Sequence, residues 1–351
     1  MKTVYAVTGG GLHLGEAPIP ATEPGQVRVR VVYGGICGSD LHYAAHGRNG
    51  IYTIEQPLVL GHEIVGIVDA VADDVSDRAV PGQRVAIHPA TPTPAPGSRD
   101  GAGLRLAYGG SYLGSASTTP HTAGGFAEYL IVRPEQLRIL PDGLPLRRAA
   151  LAEPLAVALH AVALAGEDLV GARVLVAGAG PIGSLVVAVL SARGVTDITV
   201  TDLQAAPLET ARAVGAARTV LIGTDQAPAT DSVDVVIESS GSPRSLASAL
   251  DWVRRGGTIV QLGLLPAGEL SIPLAALVSK EITLQGSQRF DIELDEAVDL
   301  LADAARIGAV VSHVLPVDDA VQAFDIAADS AASAKVLLRF GDDPDEAGDG
   351  R

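Results

Sequence analysis

The single cysteine of this 351-residue chain, Cys37, stands in GGICGSDLHY, and 25 residues later GHE brings His62 and Glu63. A third stretch, LAEPLAVALHA, adds the carboxylate of Glu153. Sulfur, imidazole nitrogen and carboxylate oxygen make a donor set that suits Zn²⁺ with one coordination position left for water or substrate. Each residue also has a plainer reading, since a lone buried cysteine is usually a small hydrophobe and a lone histidine a satisfied core or surface residue. Spacing alone leaves both readings open, because Cys37, His62 and Glu153 lie far apart. One cysteine does exclude an intramolecular disulfide and a thiolate-only metal cage, each of which needs at least two.

A second constellation is contiguous. The apolar run 174–177 leads into Gly178, Ala179, Gly180, Pro181, Ile182 and Gly183, a GxGxxG between a strand and a helix. The first glycine permits a tight turn, the second admits a pyrophosphate to the backbone, and the third allows close helix packing. Pro181 suits the first helical turn, where its missing N–H costs nothing, and the helix N-terminus offers N–H groups to phosphates. Asp202 follows the next apolar run, 19 residues after Gly183, where an acid can accept both hydroxyls of an adenosine ribose. The same charge repels a 2′-phosphate, and the next basic residue is Arg212, so the expectation is NAD over NADP.

The elements that must carry these groups divide in style. Residues 1 to about 150 read as short β segments, such as 26–33, between Gly and Pro clusters. From Glu153 onward, apolar runs at 174–177, 198–201, 233–238 and 257–263 alternate with Ala/Leu-rich helical stretches, the pattern of a parallel sheet with crossover helices. The strand-like 334–340 is expected to rejoin the N-terminal domain, making the α/β unit an insertion. The domains expected are therefore 1–152 with 286–351, and 153–285. Glu153 falls where they meet, a common place for chemistry. The proline-rich 89–125 reads as a surface loop, and the acidic GDDPDEAGDGR as a frayed tail.

Composition bounds the partners. With 25 basic and 41 acidic residues the net charge is −16, which disfavours nucleic acid or an anionic membrane and favours a small molecule. Apolar residues at 47% can build a large core, but aromatics at 3% leave it to Ala, Val, Leu and Ile. The run 174–192 has membrane-span length without a charge, yet its three glycines and Pro181 break it into strand, turn and helix. MKTVYAVTGG lacks a signal-peptide pattern, so a cytoplasmic protein is expected.

Gly61, His62, Glu63, Gly66, Ala72 and Val75 resemble the zinc signature of the medium-chain dehydrogenase/reductase family. The resemblance continues through VVYGGICGSDLHY, PGQRVAIHP, GGFAEYL, ALAEPLAVALHA, VLVAGAGPIG, RRGGTIVQLGLL and KEITLQGSQRF, and is strongest to the polyol branch of sorbitol and L-idonate 5-dehydrogenase-like members. It implies an α/β protein with a GroES-like β-rich catalytic domain and a Rossmann doubly wound domain, the active site lying between them. It implies zinc on Cys37 and His62, with Glu63 as a third ligand and Glu153 reaching the metal directly or through water. Ser39 and His42 match a proton relay, Val157 with Leu262 to Leu264 match the border of the nicotinamide, and Arg289 matches a substrate contact. Tyr43 is expected to line the pocket or simply to pack, and His121 has a smaller claim on substrate. A homodimer or homotetramer, pairing near 281–285, is also implied.

There are two departures from the family pattern. The four-cysteine lobe of many relatives corresponds to the cysteine-free 89–125, so one catalytic zinc and no structural zinc is expected. Gln288 stands where idonate-like relatives tend to carry an aromatic. The expected reaction is oxidation of a secondary alcohol of a sugar acid or polyol, by Lewis-acid catalysis with hydride transfer to NAD. A zinc-free quinone or enone reductase has no use for Cys37, His62, Glu63 and Glu153 together. A lapsed NAD-binding regulator has no use for the relay either.

Overall fold

The computed structural model describes residues 1–91, 106, 110–166 and 168–346. The chain divides into two compact units, one of Met1–Glu153, Leu294–Asp329 and the chain from Lys335 onward, the other of Pro154–Glu293 and Ser330–Ala334. The second unit runs on past 285 because Glu293 is tied into it. Its carboxylate accepts the Asp291 N–H at 2.7 Å and meets His160 Nδ1 at 2.6 Å on the Ala152–Ala165 helix.

The first unit is built on a seven-stranded sheet in the order Leu137–Ile139, Arg84–Ile87, Glu63–Val71, Val27–Gly35, Lys335–Arg339, Val311–Pro316, with Tyr129–Val132 also paired to Val27–Gly35. Val27–Gly35 alternates in burial at its start and is wholly buried from Val31, so this central strand joins the sheet surface to the core. Aliphatic residues dominate that core, among them Val4, Val29, Val31 and Leu60. The few aromatics concentrate there, with the Phe126 ring 6.3 Å from Phe324 and 6.0 Å from Phe340. Lys335–Arg339 pairs antiparallel with Val27–Gly35, so the end of the chain does return to the unit that begins it.

The second unit is a six-stranded parallel sheet in the order Arg218–Leu221, Asp197–Asp202, Arg173–Ala177, Val233–Glu238, Val253–Gln261, Thr283–Gly286. In chain order that is 3-2-1-4-5-6, the doubly wound arrangement that binds dinucleotides where the strand order reverses. Val174 to Ala177 are at most 1% exposed, as a strand covered on both faces must be. The uncharged run 174–192 separates into the Arg173–Ala177 strand and the Pro181–Ala192 helix. No helix among the described residues is long and apolar enough to cross a membrane.

Two expectations need correction. The acidic tail is not frayed as far as Glu346: Tyr33 donates to Asp343 at 2.9 Å, Arg84 pairs with Asp345 at 2.5 Å, and Arg339 with Glu346 at 2.8 Å. Three basic or phenolic partners on the sheet hold it, whatever its own composition. The remainder, 347–351, lies outside the described residues. Nor is 89–125 simply a surface loop: Ala90–Thr91 pairs with Ser111–Tyr112, and Tyr112, Leu113 and Ala116 are buried. Most of 92–109 lies outside the described residues.

Candidate metal centre and dinucleotide turn

Sheet register brings the metal-ligand candidates together. Gly35 pairs with Glu63 across the antiparallel strands, so Cys37, two residues beyond one, meets His62, one residue before the other. One donor atom from each of Cys37, His62 and Glu63 lies within 4.8 Å of the others, and His62 and Glu63 are buried. Asp40 locks the two segments. Its Oδ2 accepts the Cys37 N–H at 3.0 Å at the start of the Gly38–His46 helix, and its Oδ1 accepts the Gly61 N–H at 3.1 Å. Gly61 has a φ of +91°, and a Cβ there would lie 2.1 Å from the Phe126 ring.

The donor chemistry fits a cation. Glu63 Oε1 accepts from Lys335 Nζ at 2.6 Å, while the buried Oε2 has no hydrogen-bond partner. A Cβ on Gly35 would stand 2.0 Å from that oxygen, so glycine admits the carboxylate. Burial by itself lowers the His62 imidazole, but Asp40, Cys37 and Glu153 outweigh it and push it up to about 10. Burial raises Asp40, and it raises Glu153 with help from Glu63. Lys335 is raised despite burial by Glu63 and Cys37. So anion-rich a pocket holds its protons tightly, and a divalent ion on the same donor atoms displaces them.

Glu153 stands apart from the three-residue group. It opens the Ala152–Ala165 helix, is 5% exposed, and accepts from Tyr112 Oη at 2.6 Å. Ser39 and His42 lie three residues apart on the Gly38–His46 helix, hence on one face, with His42 exposed. Tyr43 is 2% exposed and its hydroxyl accepts the Ala116 N–H at 3.0 Å, the arrangement of its packing alternative. His121 has both ring nitrogens engaged, with the Glu55 N–H at 2.9 Å and the Thr118 carbonyl at 3.0 Å.

In the second unit the glycine turn has the spacing its motif requires. Gly178 has a φ of +97°, and a Cβ on Gly183 would lie 1.9 Å from the Gly178 carbonyl. A Cβ on Gly180 would meet nothing within 4 Å, which leaves open backbone at the head of the Pro181–Ala192 helix, where no side chain caps. Ile182 follows in the first turn of that helix. Asp202 ends its strand with Oδ2 accepting the Ala179 N–H at 2.7 Å and Oδ1 the Gln204 N–H at 2.8 Å. Each oxygen keeps a further lone pair for a ribose hydroxyl. The Leu262 and Gly263 N–H groups donate to the Glu238 carbonyl at 2.9 and 2.8 Å, while the Leu264 side chain is 71% exposed. Arg289 belongs to this unit and has a φ of +50°.

Four residues escaped the sequence reading. Asp40 carried a usable signal, an acid three residues after a helix start. Glu238 did too, as an acid ending an apolar strand; its buried carboxylate accepts Ser240 N–H at 3.0 Å, Gly241 N–H at 3.1 Å and Gln261 Nε2 at 2.5 Å. Lys335 and Tyr112 carried none.

Residues 181–303 match the family described as zinc-binding dehydrogenase, and residues 23–142 the alcohol dehydrogenase GroES-like domain. L-idonate 5-dehydrogenase (NAD(P)(+)) of Escherichia coli is 36% identical over 324 residues, 89% of this chain and 91% of that protein. Sorbitol dehydrogenase of Gallus gallus is 34% identical over 326 residues, 90% of each. The crystal structure of L-idonate 5-dehydrogenase from Escherichia coli superposes with a TM-score of 0.89 at 35% identity, covering 97% of this chain and 98% of the other.

Proposed function

The chain belongs to the zinc-binding dehydrogenases with a GroES-like alcohol dehydrogenase domain, and from that premise we propose that it oxidises a secondary hydroxyl of a sugar acid or polyol to a ketone, with NAD as hydride acceptor. The observation that carries this reading is the Cys37, His62 and Glu63 group, with Glu63 Oε2 buried and unpartnered. Zinc held there, with Glu153 beside it, supplies the Lewis acidity that makes an alcohol proton easier to lose. Ser39 takes that proton and His42, which is exposed, passes it to solvent. Gly178, Gly180 and Gly183 seat the pyrophosphate, Asp202 binds the ribose and favours NAD, and Val157, Leu262 and Leu264 border the nicotinamide.

A sugar acid resembling L-idonate is the leading substrate and a neutral polyol such as sorbitol the alternative; relatives carry both names. Arg289 separates them, because a guanidinium grips a carboxylate in two parallel charge-assisted bonds. The test is a substrate panel read by NADH absorbance. Arg289→Ala should cost the acid substrate roughly tenfold to a hundredfold in kcat/KM, from about 1.5–3 kcal/mol per charge-assisted bond, and the polyol little. Equal loss on both substrates transfers the reading to the polyol.

The cysteine-free 89–125 supports one zinc per chain, which elemental analysis tests. All four residues of the Thr283–Gly286 strand, at the end of its sheet, are exposed, which supports a dimer or tetramer formed by strand pairing. A cytoplasmic location suits a chain whose one cysteine must stay reduced.

A further inference from the structure

We infer that Tyr112 is a positioning residue that holds Glu153 out of the metal's coordination, so that Glu63 is the carboxylate ligand and the remaining position stays open to the alcohol. This rests on the zinc reading above and says which of two adjacent carboxylates serves it.

The two glutamates are arranged differently. One oxygen of Glu63 lies within 4.8 Å of the Cys37 sulfur and of a His62 ring nitrogen, and Glu63 keeps a buried oxygen without a partner. Glu153 is outside that group, and its Oε1 is taken by the Tyr112 hydroxyl at 2.6 Å. Each carboxylate gives one oxygen to a short bond, Glu63 to Lys335 and Glu153 to Tyr112, and the difference lies in placement: Glu63 keeps its second buried oxygen free within the group, whereas Glu153 is held outside it by the phenol. The phenol is itself fixed. Tyr112 is 6% exposed, its backbone pairs with Ala90, and its ring lies 5.6 Å from the His62 ring at a 57° tilt. It cannot follow Glu153 toward the metal without breaking its strand pairing and its contact with His62.

Tyr112→Phe keeps the ring and removes the one donor. In the zinc-loaded protein, loss of zinc to a chelator should slow by about tenfold, because Glu153 is freed to bind. Alcohol kcat/KM should fall by a similar factor. Glu153→Gln, added to Tyr112→Phe, should restore the original release rate, and Glu153→Gln alone should leave that rate within about twofold, whereas Glu63→Gln should speed release about tenfold or more. NADH binding, followed by fluorescence, should be the same in all of them and reports an intact fold. Unchanged or faster release in Tyr112→Phe overturns the inference, as does slowing that survives Glu153→Gln, or faster release from Glu153→Gln than from Glu63→Gln. A chain purified in zinc-replete medium that holds no zinc overturns the functional reading and this inference together, a result distinct from a zinc-bound chain whose release ignores Tyr112.

Discussion

The Cys37, His62 and Glu63 cluster and the glycine turn, proposed to hold a cation and a pyrophosphate, are built by opposite means. In the turn, six consecutive residues and one acid suffice: a left-handed Gly178, an unobstructed Gly180 and a Gly183 packed on the Gly178 carbonyl are backbone properties of a short segment. In the cluster, nothing local is enough. Cys37 and His62 meet through strand register, Asp40 ties their segments, and Glu63 is paired to Lys335 from near the far end of the chain. A site made of backbone survives most side-chain changes elsewhere, whereas a site made of side chains depends on every strand that carries one.

The strongest way to break the comparison is to empty the cluster and ask whether the turn notices. Cys37→Ala should remove zinc and lower turnover by on the order of 10³-fold or more, since Lewis-acid stabilisation of several kcal/mol is lost at tenfold per 1.36 kcal/mol. NADH binding should persist. Full turnover by the metal-free protein would refute the assignment. The reciprocal change is Gly183→Val, whose Cβ would fall 1.9 Å from a carbonyl oxygen. Forced repacking of about 1–3 kcal/mol should weaken NADH roughly tenfold to a hundredfold while zinc content stays at one per chain. Unaltered NADH affinity would mean that the third glycine does not set the turn.

A finer test stays inside the turn. Asp202→Ala should shrink the preference for NAD over NADP about tenfold to a hundredfold, through lost charge-assisted bonds of about 1.5–3 kcal/mol and lost repulsion of the 2′-phosphate. Equal kcat/KM for the two cofactors in the unmodified enzyme would show that the acid does not face the ribose.

The smallest effect is expected at Asp234, the second residue of the Val233–Glu238 strand and so at the opposite end from Glu238. Its carboxylate is held well below the usual range, chiefly by the hydrogen bond from Arg173 and, against burial, with help from Arg254. A depressed folded value means stability that is present above the unfolded carboxylate's range and lost as pH falls toward the folded one. Asp234→Asn should therefore cost about 0.5–1 kcal/mol at neutral pH, a few degrees in Tm at most, and the difference should fade below about pH 4. NADH affinity and zinc content should not move. A thermal-melt difference that grows on acidification would reverse the sign and exclude the pairing.

Legibility in the sequence followed the same divide. Strand, glycines, helix, strand and Asp202 were readable in order because each step spans a few residues and the helix and strand periods are local. The ligand types Cys37, His62 and Glu63 were readable as chemistry, but their convergence needed a family resemblance, since residues 25 positions apart carry no mark of their register. The tail was misread because its charges say nothing of Tyr33, Arg84 and Arg339, which bind it. The middle segment was misread because its composition hid Tyr112 beside His62.

By itself the sequence determined the doubly wound unit, the glycine turn, the lone thiol and the stock of possible metal donors, all properties of residue type and short-range period. Only the tertiary structure decided that Asp40 joins two ligand segments, that Lys335, 272 residues away, neutralises one oxygen of Glu63, and that Tyr112 occupies one oxygen of Glu153. The reason is physical: a hydrogen bond between distant segments is specified by the pairing of a whole sheet, and no local pattern encodes which side chain that pairing will set against which.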